Sequence, residues 1–119
     1  MRVLLVDDEK ELVATLAERL EMRGIDATWV TDYRAALAAV EKEAFDIALL
    51  DVRMPEMNGL ELKRLIEVRR PTMKFIFLTG HGSEEDFKAC SAESGRDYYL
   101  IKPLQIEVLM AKLNEIAHA

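Results

Sequence analysis

Five short apolar runs alternate along the chain with longer amphipathic stretches, and this alternation limits the fold more than any other feature. The runs are Val3-Leu4-Leu5-Val6, Ala27-Thr28-Trp29-Val30, Ile47-Ala48-Leu49-Leu50, Phe75-Ile76-Phe77-Leu78 and Tyr98-Tyr99-Leu100-Ile101. Runs this short, rich in β-branched, leucine and aromatic residues, predict strands buried on both faces. The stretches between them carry helical spacing. Leu12, Leu16 and Leu20 share one face of the first, flanked by Val13 and Ala17; Ile106, Leu109, Leu113 and Ile116 do the same in the last, with Met110 alongside. Strand–helix alternation with short connections implies a parallel sheet covered on both faces, a doubly wound (βα)5 domain of the α/β class.

Glycine and proline punctuate this pattern. Gly24 stands where a left-handed residue would end the first helix, and Gly95 does so after the fourth. Pro71 follows the third helix, which it could not continue. Gly59, Gly80 and Gly82 are predicted in the loops after the third and fourth strands. The fourth helical stretch, Ser83–Ser94, is the weakest. It offers only Phe87, Ala89, Cys90 and Ala92 to the core, so low local stability is expected there.

Size and charge narrow the functional classes. At 119 residues the chain makes one domain, spanning 1–119, with enough core to need no staple. A single cysteine, Cys90, forbids an internal disulfide and a Cys-based zinc site. No apolar stretch approaches the roughly 20 residues of a membrane span, and Met1-Arg2 before so short a run is no signal peptide. A soluble, cytoplasmic protein is expected. The net charge of −6, without a basic cluster, disfavours nucleic acid and suits protein partners or a cation.

In an open α/β sheet, ligands bind beyond the carboxyl ends of the strands. Asp7, Asp8 and Glu9 follow the first strand, Asp51 the third, Thr79 the fourth and Lys102-Pro103 the fifth; Thr31-Asp32 closes the second and opens the next helix. Each has a structural explanation of its own. Asp8 stands three residues before Glu11, the spacing of a capping box. Asp51 could be a turn residue, Thr79-Gly80 an ordinary loop pair, and Lys102 could reach to solvent. Asp7, Asp8, Asp51, Thr79 and Lys102 together place three carboxylates, a hydroxyl and an amine at one rim. Carboxylates about 5 Å apart repel by roughly 3 kcal/mol at an effective dielectric of about 20. With Asp7, Asp8, Asp51 and Lys102 ionised, three negative charges and one positive leave −2, which a divalent cation cancels. All-oxygen ligands favour Mg²⁺ over zinc. The neutralised site can admit a phosphoryl group, with Thr79 and Lys102 for its oxygens and Asp51 as a nucleophilic carboxylate.

The segments VLLVDDE (3–9), LLDVRMPEMNGLEL (49–62), FLTGHGS (77–83) and DYYLIKP (97–103) resemble the receiver domain of two-component response regulators. The likeness runs end to end, and within DVRMPEMNG a proline stands four and a glycine eight residues after the aspartate. The resemblance implies a flavodoxin-like sheet of order 2-1-3-4-5. It implies that Asp51 is the phosphoacceptor and that Asp8, Asp51 and the Arg53 backbone carbonyl ligate Mg²⁺, with Asp7 acting through water. It further implies that Thr79 and Lys102 hold the phosphoryl group, that the Lys102–Pro103 bond is cis, and that Tyr99 turns inward behind a shifting Thr79. Function would be a switch rather than enzyme turnover. A sensor histidine kinase or phosphotransfer protein would supply the phosphoryl group. The face formed by Ser83–Ser94, the fifth strand and the last helix would be reshaped for a protein partner, an attached output domain or a second copy of the chain.

Some positions depart from that family or stay neutral. Arg96 stands where the family usually has alanine. Arg53 and His81 lie two residues beyond Asp51 and Thr79, where the family tunes loss of the phosphoryl group; a long Arg53 side chain over the site predicts a long-lived phosphorylated state. His81, with no second histidine near it in sequence, reads as a loop residue, and Cys90 as a small packing residue. Two alternatives remain: a docking module that keeps the fold without phosphorylation, and a haloacid-dehalogenase-like phosphatase. The second wants a DxD pattern, whereas Arg53 stands two after Asp51.

Overall fold

The five apolar runs become five strands of one parallel sheet in a computed structural model that describes residues 1–80 and 98–118. Chain order is β1 (Arg2–Val6), α1 (Lys10–Glu21), β2 (Asp26–Val30), α2 (Tyr33–Lys42), β3 (Ile47–Asp51), α3 (Gly59–Arg69), β4 (Lys74–Thr79), β5 (Tyr98–Ile101) and α4 (Ile106–Ala117). Here α4 is the last helix of the sequence pattern. The Ser83–Ser94 stretch, with His81, Gly82, Cys90, Gly95 and Arg96, lies outside the described residues. Spatial order is β2-β1-β3-β4-β5, every neighbouring pair parallel.

Strand alternation divides the core in two. Val3, Leu5, Leu49, Ile76 and Leu78 face one side, under Val13, Leu16 and Leu20 of α1 and Leu109, Leu113 and Ile116 of α4. Leu4, Leu50, Phe75 and Phe77 face the other, under Ala36 and Val40 of α2 and Leu62 and Ile66 of α3. At roughly 2 kcal/mol for each buried aliphatic side chain, the three large residues of α1 dock it by roughly 6 kcal/mol before entropy is counted. Burial on both faces holds only for the middle of the sheet. β3 is buried throughout, but β2 and β5, at the edges, are mostly half-buried, and Trp29 is exposed. Edge strands read like central ones in sequence because burial depends on which neighbours arrive.

Local chemistry sets most of the boundaries. Asp32 and Asn58 cap α2 and α3, their side-chain oxygens accepting from the Ala35 N–H at 2.8 Å and the Glu61 N–H at 2.9 Å. Gly24, at φ +81°, ends α1: its N–H donates to Glu21 O and the Ile25 N–H to Leu20 O, the two bonds of a Schellman motif. Two expectations need correction. Asp8 and Glu11 form no capping box; Glu9 holds the N-cap position of α1, and no side chain caps the N-terminus of that helix. Gly59 is not a loop residue but the first residue of α3. A Cβ there would stand 2.5 Å from the Asp51 carbonyl oxygen, so only glycine lets the helix start so close to the end of β3.

Candidate functional site

Register brings the rim residues together. Val6 pairs with Leu50, so Asp7 and Asp51 are one step along on adjacent strands; Thr79 pairs with Ile101, so Lys102 follows directly. The Lys102 N–H donates to Thr79 O at 2.9 Å, and the Lys102–Pro103 bond is cis. Asp7, Asp51 and Thr79 are buried, whereas Asp8 is exposed at the mouth.

Asp7 and Asp51 are held by the same local device. The Glu9 N–H donates to Asp7 Oδ1 at 2.9 Å, and the Arg53 N–H donates to Asp51 Oδ1 at 3.2 Å. Each aspartate thus closes an Asx turn with the amide two residues on. That leaves both Oδ2 atoms for Lys102, whose Nζ lies 2.9 Å from Asp7 Oδ2 and 3.3 Å from Asp51 Oδ2. Glu9 Oε1 is a further neighbour, at 3.1 Å. The Asp7 contact is an ion pair off the line of a hydrogen bond, so this fully buried oxygen has a charge beside it but no aligned donor.

Charge at the site is poorly balanced. Burial and the Asp7 carboxylate push Asp51 up to about 7, against the pull of Lys102 and the Arg53 amide. Burial alone would lower Lys102, but Asp7, Asp51 and Glu9 more than reverse this and hold it above its ordinary value. One oxygen from each of Asp7, Asp8 and Asp51 lies within 4.8 Å of the others. Three carboxylates, one of them with a buried oxygen that has no aligned donor, suit a small divalent cation such as Mg²⁺.

All the rim residues named from the sequence therefore lie at one end of the sheet. Tyr99 lies on β5, half-buried against the core under α2 and α3. Two residues escaped the sequence reading. Glu9 was given no role, although its position beside the aspartate pair placed it at the rim. Lys63 is buried on α3, with its Nζ 5.9 Å from the Phe75 ring centre and 3.9 Å from Glu67 Oε1. Its place between Gly59, Leu62 and Ile66 on the helical repeat was the available signal.

Comparison with known proteins agrees with this fold. The family model of the response regulator receiver domain matches residues 3–114. CpxR, a transcriptional regulatory protein of Klebsiella pneumoniae, is 39% identical over 97% of this chain and 48% of its own length. The sensory transduction protein RegX3 of Mycobacterium tuberculosis is 37% identical over 96% of this chain and 49% of its own. The chain thus spans about half the length of these curated relatives. The solved structure of the chemotaxis protein CheY4 of Vibrio cholerae superposes with a TM-score of 0.86 at 29% identity, covering 97% of both chains. The chain belongs to the response regulator receiver domain family, the signalling switches of two-component systems. Receivers generally use Mg²⁺ at an acidic pocket. Among the described residues, no helix is long and apolar enough to cross a membrane.

Proposed function

We propose that residues 1–119 form a receiver in which Asp51 accepts a phosphoryl group from the phosphohistidine of a sensor histidine kinase or phosphotransfer protein. The observation that carries this reading is the Asp51 carboxylate itself. One oxygen is fixed by the Arg53 amide, and the other lies 3.3 Å from the Lys102 ammonium. Mg²⁺ held by Asp8, Asp51 and the Arg53 carbonyl, with Asp7 through water, would supply the charge that keeps Asp51 ionised and lets phosphoryl oxygens approach.

An Asp51 oxygen attacks phosphorus, an O–P bond forms, and the P–N bond of the donor breaks. The imidazole leaves with the electron pair and takes up a proton. Lys102 neutralises one phosphoryl oxygen and the Thr79 hydroxyl donates to another. Movement of Thr79 makes room for Tyr99, so the face around β5 and α4 changes shape for an output partner, an attached output domain or a second copy. The Arg53 side chain, exposed beside the site, slows attack by water; a phosphorylated half-life of seconds would overturn that part.

The test is intact mass after incubation with a small-molecule phosphodonor, with and without Mg²⁺, beside Asp51→Asn. The expected result is one added phosphoryl group that requires Mg²⁺ and is absent from the variant. If the folded, Mg²⁺-binding protein gains nothing from the donor or from a histidine kinase, the chain is a docking module instead.

A further inference from the structure

Lys102 Nζ donates to Glu9 and Asp51 and pairs with Asp7 off the line of a hydrogen bond, so an arriving phosphoryl oxygen competes with three carboxylates already within 3.3 Å of the ammonium. The partners differ in what losing the ammonium would cost. Asp7 is fully buried, and its Oδ2 has no aligned donor, so without Lys102 it would be an uncompensated buried charge. The Asp51 side chain is only 7% exposed and is itself the proposed acceptor. Glu9 is 63% exposed, so water can replace the ammonium at little cost.

The backbone supports a dedicated arrangement. Glu9 occupies the N-cap position of α1, yet its side chain caps nothing. Its N–H is tied to Asp7 Oδ1 at 2.9 Å, which fixes its Cα beside the site while the carboxylate reaches Lys102 Nζ at 3.1 Å. We propose that Glu9 is the displaceable partner of Lys102: it holds the ammonium at the mouth of the resting site and yields it to the phosphoryl oxygen. Glu9 is a positioning residue that acts through Lys102. Its tie in the resting protein stands on the geometry alone; its displacement rests on the reading of Asp51 as phosphoacceptor.

Two variants separate this role from helix capping. Glu9→Gln removes the charge. Glu9→Asp keeps the charge and gives α1 a better cap, but it is too short to reach Lys102. The first readout is NMR of the Lys102 ammonium protons in metal-free protein without phosphodonor. Their exchange with solvent should rise roughly two- to five-fold in both variants, with Lys112, paired to Glu115, as an unchanged reference. The second is the rate of phosphorylation from a small-molecule donor with Mg²⁺, which should rise by a similar factor in both. A residue that only shaped the helix would shift melting temperature and leave Lys102 exchange unmoved. Unchanged exchange overturns the proposal whatever the phosphodonor does. Faster exchange with equal or slower phosphorylation overturns the displacement. A wild-type protein that takes no phosphoryl group overturns the displacement together with the proposed function, while exchange still decides the resting tie.

Discussion

Each end of the sheet sets one cation among carboxylates, and the two ends treat it differently. Where the strands begin, the Arg2 guanidinium meets Asp26 at 3.1 Å, Glu43 at 2.6 Å and the Ala44 carbonyl at 3.3 Å, and lies over the Phe45 ring. The Arg2 backbone N–H donates to Asp46 Oδ2 at 2.8 Å. Its planar fork serves each acceptor separately, and the charged side chains are about 40–60% exposed, so water screens any excess. Where the strands end, the Lys102 ammonium is shared among three carboxylates, two of them almost fully buried. Similar residue types make a fastening at one end and an unsatisfied site at the other. Solvent access decides which, because a deficit of positive charge is expensive only where water cannot make it good.

Removing the two cations should break the symmetry most visibly. Lys102→Met leaves Asp7 buried without its ion pair, so urea denaturation near neutral pH should show a loss of about 2–4 kcal/mol. Arg2→Met at the exposed end should cost about 1 kcal/mol. Equal losses would mean that burial does not separate the ends.

A pair of glycines gives the next contrast. Gly59→Ala pushes a Cβ against the Asp51 carbonyl and should cost about 1–3 kcal/mol, with a weaker response to Mg²⁺ in thermal melts. Gly24→Ala meets no atom within 4 Å and pays only for its left-handed backbone at φ +81°. It should cost about 1 kcal/mol and leave the Mg²⁺ response unchanged.

The last effect has the opposite sign. Asp51 titrates near 7 in the fold, above its ordinary 3.8, so its protonated form stabilises the protein. That contribution is whole below about 3.8 and is lost as pH rises through about 7. Asp51→Asn should therefore be more stable than wild type by about 1–2 kcal/mol above pH 7 without divalent cation, and the gain should fade on acidification. Asp46→Asn, at the Arg2 end, should show no such gain. Denaturation midpoints measured across pH for both variants check this.

The strands, the four described helices and the rim inventory were legible in the sequence because they depend on neighbours a few residues apart. Apolar runs of four specify strands, spacings of three and four specify α1 and α4, and Asp32 caps α2 from its own position. Strand order 2-1-3-4-5 came from likeness to a family rather than from the pattern, because alternation alone does not choose between topologies. The tie between Glu9 and Lys102 joins residues 93 positions apart, and no local spacing encodes it. Gly59 looked like a loop glycine because the Asp51 carbonyl that excludes a side chain reaches it only through the packing of α3 on β3. The sequence by itself determined which groups stand at the strand ends. The tertiary structure decided how deeply each is buried and which share a counter-ion, because parallel register and helix packing set those distances and the exclusion of water sets their energies.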